Sequence, residues 1–338
     1  YYFNFRIFGE PARQFPELDC LMILLSLELL RRLWSIQGRW QAAVKTSVAL
    51  LAFVSFLPSC QYLQKCWTIF VGDPNPTDRL EYQMQDWVYR NMPQSRVLAS
   101  GTIRFWFNAW HDLPQLKGGS DQGLLNPKVV PPGWEIHLGK DPVLSILWMQ
   151  ILGVDAVLVN GKKSREHYRD HQFPYKFAGQ LPVLWDNGAD DVIYGVPRRY
   201  RSLARVVNRQ QHDTLPVITG NGNLPHLEAW YNDVENGRDS PTETHFEGTD
   251  TMHIRAQVRE GESVWVAESF DPNWRATIKQ QAVPMREDKL GMMILDTPPG
   301  SHDIRLEFPV PFETQAGRVI SVISALVAVA LVCGGRLL

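Results

Sequence analysis

Arg104–Asp112 reads R-F-W-F-N-A-W-H-D, and Gln115–Gly123 follows as Q-L-K-G-G-S-D-Q-G. This is the most site-like stretch of the chain. Indole rings such as Trp106 and Trp110 stack on sugar faces, and the side chains of Asn108, Gln115, Asp121 and Gln122 are of the kind that hydrogen-bonds sugar hydroxyls. Glycines let a backbone approach a ligand closely. Trp106, Asn108, Trp110, Gln115, Asp121 and Gln122 are therefore the glycan-binding candidates. A structural role competes with this one: two tryptophans anchored in a core and a glycine run serving as a surface turn. The stretch is not a phosphate loop, because it lacks the G-K-[ST] ending and no strand leads into it.

Other chemistry is sparse. His167 and His171 stand four apart in H-Y-R-D-H, but a zinc-protease helix needs H-E-x-x-H, whereas here Glu166 precedes His167 and Tyr168 follows it. The pair is expected on a solvated face, and neither metal nor cofactor is expected. There is no G-x-S-x-G elbow and no Cys–His arrangement for nucleophilic catalysis. Asp112, Asp121 and Glu135 are acidic residues near the aromatic stretch, yet sequence brings no two of them together. No catalytic residue is identified. Of the four cysteines, Cys20, Cys60 and Cys333 lie in or beside apolar runs and Cys66 lies just past one. They form no disulfide framework, and pairing of Cys60 with Cys66 stays open.

The elements that must position the candidates divide into apolar and soluble parts. A length of 338 residues holds two or three domains, and a net charge of −2 without a basic stripe gives no footprint for nucleic acid. Mean hydropathy is −0.22 but uneven. Leu18–Trp34 (with Glu28 inside it), Ala42–Leu63 and Val319–Cys333 are each either a bilayer span or a buried core helix. Length and flanking chemistry favour spanning, although the last has fifteen residues where roughly 20 are needed. Arg31, Arg32, Arg39 and Lys45, with Trp34 and Trp40, place the first connecting loop in the cytoplasm by the positive-inside rule. Glu28 has ion-pair spacing to Arg31 and Arg32. Gly317, Ser321 and Ala325 form a small-residue row, so the last span is expected to pack against other helices. The chain reads as the C-terminal part of a longer protein with more membrane helices upstream.

Between the apolar runs, Gly72–Thr77 is a turn-rich linker, and Asp78 with Glu81 forms a capping box for a helix that stops before Pro93. Arg96–Ala99 and Asp155–Val159 read as strands and Pro142–Leu152 as a helix, which together make a small α/β unit. From Gln172 onward strand patterns dominate: Leu181–Trp185, Asp191–Val196, Ser202–Val207, His253–Val258, Ser263–Glu268, Arg275–Ile278, Met292–Leu295 and Asp303–Phe308. Leu224–Val234 reads as a helix and Glu235–Thr249 as loop. The expected class is an α+β membrane protein, with transmembrane helices flanking an extracytoplasmic region. Residues 1–71 hold two transmembrane helices and a basic cytoplasmic loop, 72–170 an extracytoplasmic α/β unit, 171–312 an extracytoplasmic antiparallel β-sandwich, and 313–338 a C-terminal transmembrane helix.

Asp271-Pro272-Asn273-Trp274-Arg275, then Pro299-Gly300-Ser301-His302, then Arg305–Phe308 and the last apolar run make a distinctive ending. Phe5–Phe15 (F-R-I-F-G-E-P-A-R-Q-F) is similar to an R-x-P-x-R-F entry to a late membrane helix. Together they resemble the C-terminal portion of bacterial YfhO-like membrane proteins, a branch of the GT-C-type glycosyltransferase-like group. The resemblance covers essentially the whole chain. Lys279-Gln280-Gln281 stands where many relatives carry an Asp-Gly hairpin, and no residue matches the catalytic carboxylate of an early outer loop. The resemblance implies sugar transfer from a polyprenyl-phosphate-linked donor to an envelope glycan acceptor by a multi-pass protein of the bacterial inner (cytoplasmic) membrane. This part would orient the acceptor, with the lipid bilayer as a further partner and no nucleic acid. The alternative is a non-catalytic envelope protein with a carbohydrate- or protein-binding outer domain.

Overall fold

The computed structural model describes residues 15–70, 75–119 and 126–334. Asp121 and Gln122, most of the Phe5–Phe15 motif and the start of the Gly72–Thr77 linker lie outside the described residues. The chain divides into two compact units, Tyr1–Pro74 and Asn75–Leu338.

The first unit is a pair of helices, α1 (Phe15–Trp34) and α2 (Gln41–Phe70), joined through Gly38 at φ +111°. Within α1 the Glu28 carboxylate accepts from Arg31 Nε at 2.7 Å and Arg32 Nε at 2.8 Å, the pairing its spacing implied. Among the described residues, only Gln41–Lys65 of α2 is both long and apolar enough to cross a bilayer, with a mean hydropathy of 1.6 and none of it buried. α1 falls short on composition, because Glu17, Asp19, Glu28, Arg31 and Arg32 interrupt its leucines.

The second unit begins with a 3₁₀ turn, Pro76–Asp78, whose Asn75 side chain accepts from Thr77 N. That turn displaces the expected capping box. Helix α3 runs Leu80–Asn91 with Arg79 at its N-cap and no side-chain cap bond, and Glu81 instead accepts from Thr102 Oγ1 at 3.2 Å. Leu80, Met84 and Val88, four residues apart, bury one face of α3 in a core shared with Val97, Ile103, Phe107, Leu158 and Ile193.

That core covers a sheet of β1 (Val97–Leu98), β2 (Ala156–Asn160), β3 (Val183–Asp186) and β4 (Asp191–Gly195) in the order β1-β2-β4-β3. β1 is parallel to β2; the other pairs are antiparallel. Here the structure corrects an expectation. β3 and β4 lie in the region expected to form the sandwich, but they complete the α/β sheet, which therefore runs past residue 170. β2 is buried along its whole length and has only two-residue β1 on one edge, so its other edge needs a longer partner. Beside the sheet stand the short helix α4 (Ile103–Trp106), α5 (Val130–Leu138) and α6 (Pro142–Ile151), the last capped by Asp141 Oδ1 on Val143 N at 2.8 Å.

Then come β5 (Ala204–Asn208), α7 (Arg209–Thr214), α8 (Leu224–Val234), β6 (Glu243–Glu247), β7 (Thr251–Val258), β8 (Glu262–Ser269), β9 (Arg275–Ile278), β10 (Gln281–Val283), β11 (Met285–Glu287), β12 (Met292–Leu295) and β13 (Gly300–Glu307). They form two antiparallel sheets, β10-β9-β13-β7-β6 and β11-β12-β8-β5, in a sandwich-like pair. Val206, Val264, Val266, Met293 and Leu295 from one sheet meet Met252, Ile254, Ile304 and Leu306 from the other. The alternate residues of β8 and β12 (Trp265, Met292, Ile294) join Trp148 and Leu152 near α6 and Leu227 and Trp230 of α8 in another core. The second sheet is thus covered on both faces.

The family-like motifs serve the fold. Lys279 and Gln280 both have positive φ (+48° and +69°), so the β9–β10 hairpin closes with type I′ geometry despite lacking Asp-Gly. Asp271 Oδ1 accepts from Asn273 N at 2.8 Å, and Trp274 meets Phe308 edge-on at 5.1 Å. Helix α9 (Phe312–Gly334) follows β13, and its Val319, Ile320, Val322, Ile323, Leu326, Val327 and Val329 are exposed.

Candidate functional site

Arg104–Gln115 is held by bonds at both ends. Buried Gln85 of α3 donates through Nε2 to His111 O at 2.9 Å, and Asn108 Oδ1 accepts from Leu113 N at 3.3 Å to close the turn. Beyond it, Val97 N donates to Pro114 O at 3.0 Å and Leu116 N to Val97 O at 2.9 Å, so Gln115 lies alongside β1. Its own Nε2 donates to Arg104 O and Gly118 O, each at 3.2 Å.

Ile103 and Phe107 point into the core, and this turns their neighbours outward. Trp106 is 50% exposed, Phe105 is exposed and Trp110 is half-buried. Neither candidate tryptophan is a core anchor. The two indoles lie 6.3 Å apart and nearly parallel, at 27°, and Tyr82 of α3 meets Trp110 edge-on at 5.4 Å. On the same helix, Tyr89 stacks on His111 at 4.0 Å.

The polar side of the segment opens into a cleft of about 320 Å³ lined by Gln94, Asn108, Asp112, Leu113, Pro114, Gln115, Phe246, Gly248, Thr249 and Glu268. Two of the six candidates, Asn108 and Gln115, line it, while Trp106 and Trp110 form the adjoining aromatic surface. The opposite wall comes from residues sequence reasoning did not connect with them. Gln94, at φ +65°, accepts through Oε1 from Phe246 N at 3.0 Å and so ties the end of the α3 turn to β6. Glu268, at the end of β8, pairs with the Arg96 guanidinium. The only signal for this wall was the turn-rich Gly248-Thr249 between two alternating stretches, and topology was needed to place it.

His167 and His171 do not share a face. Their segment is irregular, with His167 exposed and His171 buried. His171 packs edge-on against His137 at 4.8 Å. Burial, and then the positive Lys117, Arg104 and Lys176, push His137 down to about 3, and burial followed by His137 and Lys176 pushes His171 well below its ordinary value. Among the described residues, no three His, Cys, Asp or Glu side chains are grouped to hold a metal ion.

This arrangement can hold a ligand with both apolar faces and hydroxyls, through ring stacking on one side and amide and carboxylate groups on the other. Comparison with protein-family models, curated proteins and solved structures finds no match for this chain.

Proposed function

We propose that the second unit, up to the start of α9, is the glycan-handling outer region of a bacterial inner-membrane protein, and that it positions an envelope acceptor for sugar transfer from a polyprenyl-phosphate donor. The observation carrying this reading is that Trp106 and Trp110 stack on the surface beside the cleft lined by Asn108 and Gln115. The half-exposed Trp106 and half-buried Trp110 together present stacked ring faces that a sugar or another partner can cover. The membrane part of the reading is supported by the unburied apolar α2 and by the exposed aliphatic side chains of α9. In this reading the large region is extracytoplasmic and the basic α1–α2 loop is cytoplasmic.

A specific observation favours a second reading. Glu268, a carboxylate of the cleft, is engaged by Arg96, which holds it in place and leaves it poorly placed to shuttle a proton. The cleft then binds without catalysing, as in an envelope protein with a carbohydrate-binding outer domain. The test is the protein in membranes, extracted with alkaline carbonate and assayed for glycan binding and for transfer of labelled sugar from polyprenyl-phosphate donors. Retention in the membrane, with binding and transfer both weakened by Trp110→Ala, supports acceptor positioning. Binding without transfer supports the second reading. Release by carbonate, or no glycan bound, overturns the proposal.

A further inference from the structure

A second groove lies on the outer face of α3. It holds about 570 Å³ and is lined by Thr77, Tyr82, Gln83, Asp86, Trp87, Arg90, Asn91 and Trp185. Helix periodicity explains the set. With Leu80, Met84 and Val88 facing the core, Tyr82, Asp86 and Arg90 fall on another face at spacings of four, with Gln83, Trp87 and Asn91 beside them at the same spacing. Trp87 and Trp185 are partly buried, packed against the core while lining the groove. They are rigid platforms, because burying part of each ring fixes its orientation and leaves little rotamer freedom to lose on binding.

The polar groups of the groove point to the class of ligand. Its one acid and one base neutralise each other: Arg90 Nε stands 3.1 Å from the Asp86 carboxylate, whose other oxygen is 3.4 Å from His111 Nε2. A groove with aromatic platforms, paired charges, an amide (Asn91) and a hydroxyl (Thr77) suits an uncharged polyhydroxylated ligand better than an anion or a cation.

The groove adjoins the aromatic pair of the site described above. Tyr82 lines it and meets Trp110 at 5.4 Å, and Trp110 in turn stacks with Trp106 at 6.3 Å. We propose that the groove floored by Trp87 and Trp185 is a second sugar subsite joined through Tyr82 to Trp110 and Trp106, so that the outer region takes an extended neutral oligosaccharide and not a single sugar. This rests on the glycan-binding reading of the first site. Linked subsites make the second contact intramolecular, so affinity must grow with chain length.

The experiment uses the full chain in detergent micelles with an array of neutral saccharides of one to six sugars, followed by titration of the best-bound series. The expected result is binding at least about tenfold tighter for the longer members than for the single sugar, as one further aromatic stack of about 1.4 kcal/mol gives. Tyr82→Ala and Trp185→Ala should each reduce long-chain binding toward the single-sugar level. Trp185→Ala should leave single-sugar binding intact, whereas Tyr82→Ala also removes the edge-on support of Trp110 and is read on the long chains alone. Arg90→Ala, at an exposed side chain, provides a variant free of core effects and should weaken only the longer chains. Affinity independent of length, or length dependence untouched by all three variants, overturns the second subsite and leaves the first site standing. No binding by any member overturns the glycan-binding reading itself.

Discussion

Asp155 accepts from Arg198 Nη1 at 2.9 Å in a setting where both side chains are almost wholly buried. Its other oxygen takes the Arg96 backbone N–H at 2.9 Å, and Arg198 stands 3.5 Å from Glu235, which also accepts from Arg205 Nη2 at 2.6 Å. Arg96 reaches across to Ala267 O and the Glu268 carboxylate of β8. The α/β sheet is thereby tied to the sandwich-like sheets through ionic groups as well as through a shared apolar core. Glu268 of that pair lines the cleft while Arg96 is buried behind it, so the stability of this network and the shape of the candidate site depend on one another.

Removing one member should show the asymmetry of buried ion pairs. Asp155→Ala leaves the Arg198 guanidinium short of its counter-charge, and stability should fall by about 3–5 kcal/mol. Replacing both partners with apolar residues, Asp155→Leu with Arg198→Met, should recover part of that loss, the remainder reflecting the Arg96 N–H and the Gly153 and Ser202 carbonyls left without partners. Urea unfolding of the two variants decides the point. Equal losses would mean that the pair is held by packing around it and not by charge.

His212 gives a pH dependence on the alkaline side. Its Nδ1 lies 2.6 Å from Asp233 and its Nε2 3.5 Å from Asp288, with Trp265 Nε1 donating to the same Asp288 oxygen at 2.7 Å. Burial works against the charged ring, but the bonds to Asp233 and Asp288 and their charges outweigh it and raise His212 to about 9. The folded value lies above the ordinary 6.5, so this stabilisation is fully present below pH 6.5 and is lost as pH rises through about 9. The stability gap between the natural protein and His212→Gln should therefore shrink between pH 6 and pH 9.5. A gap that stays constant would show that the imidazolium form contributes nothing.

His137 and His171 set the opposite slope. Both are neutral in the fold, and the unfolded chain binds protons near pH 6.5 that His137 refuses until about 3. Stability should decline as pH falls below 6.5, and His137→Gln should flatten that decline. Melting temperatures between pH 7.5 and 4.5 measure it. Identical slopes in the variant would assign acid sensitivity to other groups.

How far these features could be read in advance follows from where each signal lies. β7, β9 and β13 were legible because one face of each fills a core, which writes alternation into the sequence, as in Met252, Ile254, Ala256 and Val258, and β8 and β12 because both their faces are covered, which leaves short apolar runs. β6 was not, since E-T-H-F-E is nowhere fully buried, and β10 and β11 are three residues each on either side of Pro284. The capping box at Asp78 failed because Pro76 with Asn75 starts a tighter turn first. The aromatic stretch could be picked out by residue type, but its two roles could not be told apart without knowing which rings face inward. The far wall of the cleft, Phe246–Thr249 and Glu268, is more than a hundred residues from Asn108 and reaches it through sheet topology alone.

Adjacent residues in α4 and the turn after it allow the binding and structural roles of the aromatic stretch to be separated. Phe107 is wholly buried in the α3 core, and Trp106 beside it is 50% exposed. Phe107→Ala should cost about 3–5 kcal/mol through the lost burial and the cavity it leaves. Trp106→Ala should change stability by no more than about 0.5 kcal/mol, as expected for a surface position. If the glycan reading is right, binding responds the other way: Trp106→Ala weakens it several-fold in a protein that melts normally. A Trp106→Ala protein that binds glycan as before would remove this ring from the site. One that unfolds would mean that its stacking on Trp110 supports the turn and that the exposed indole pair exists for the fold.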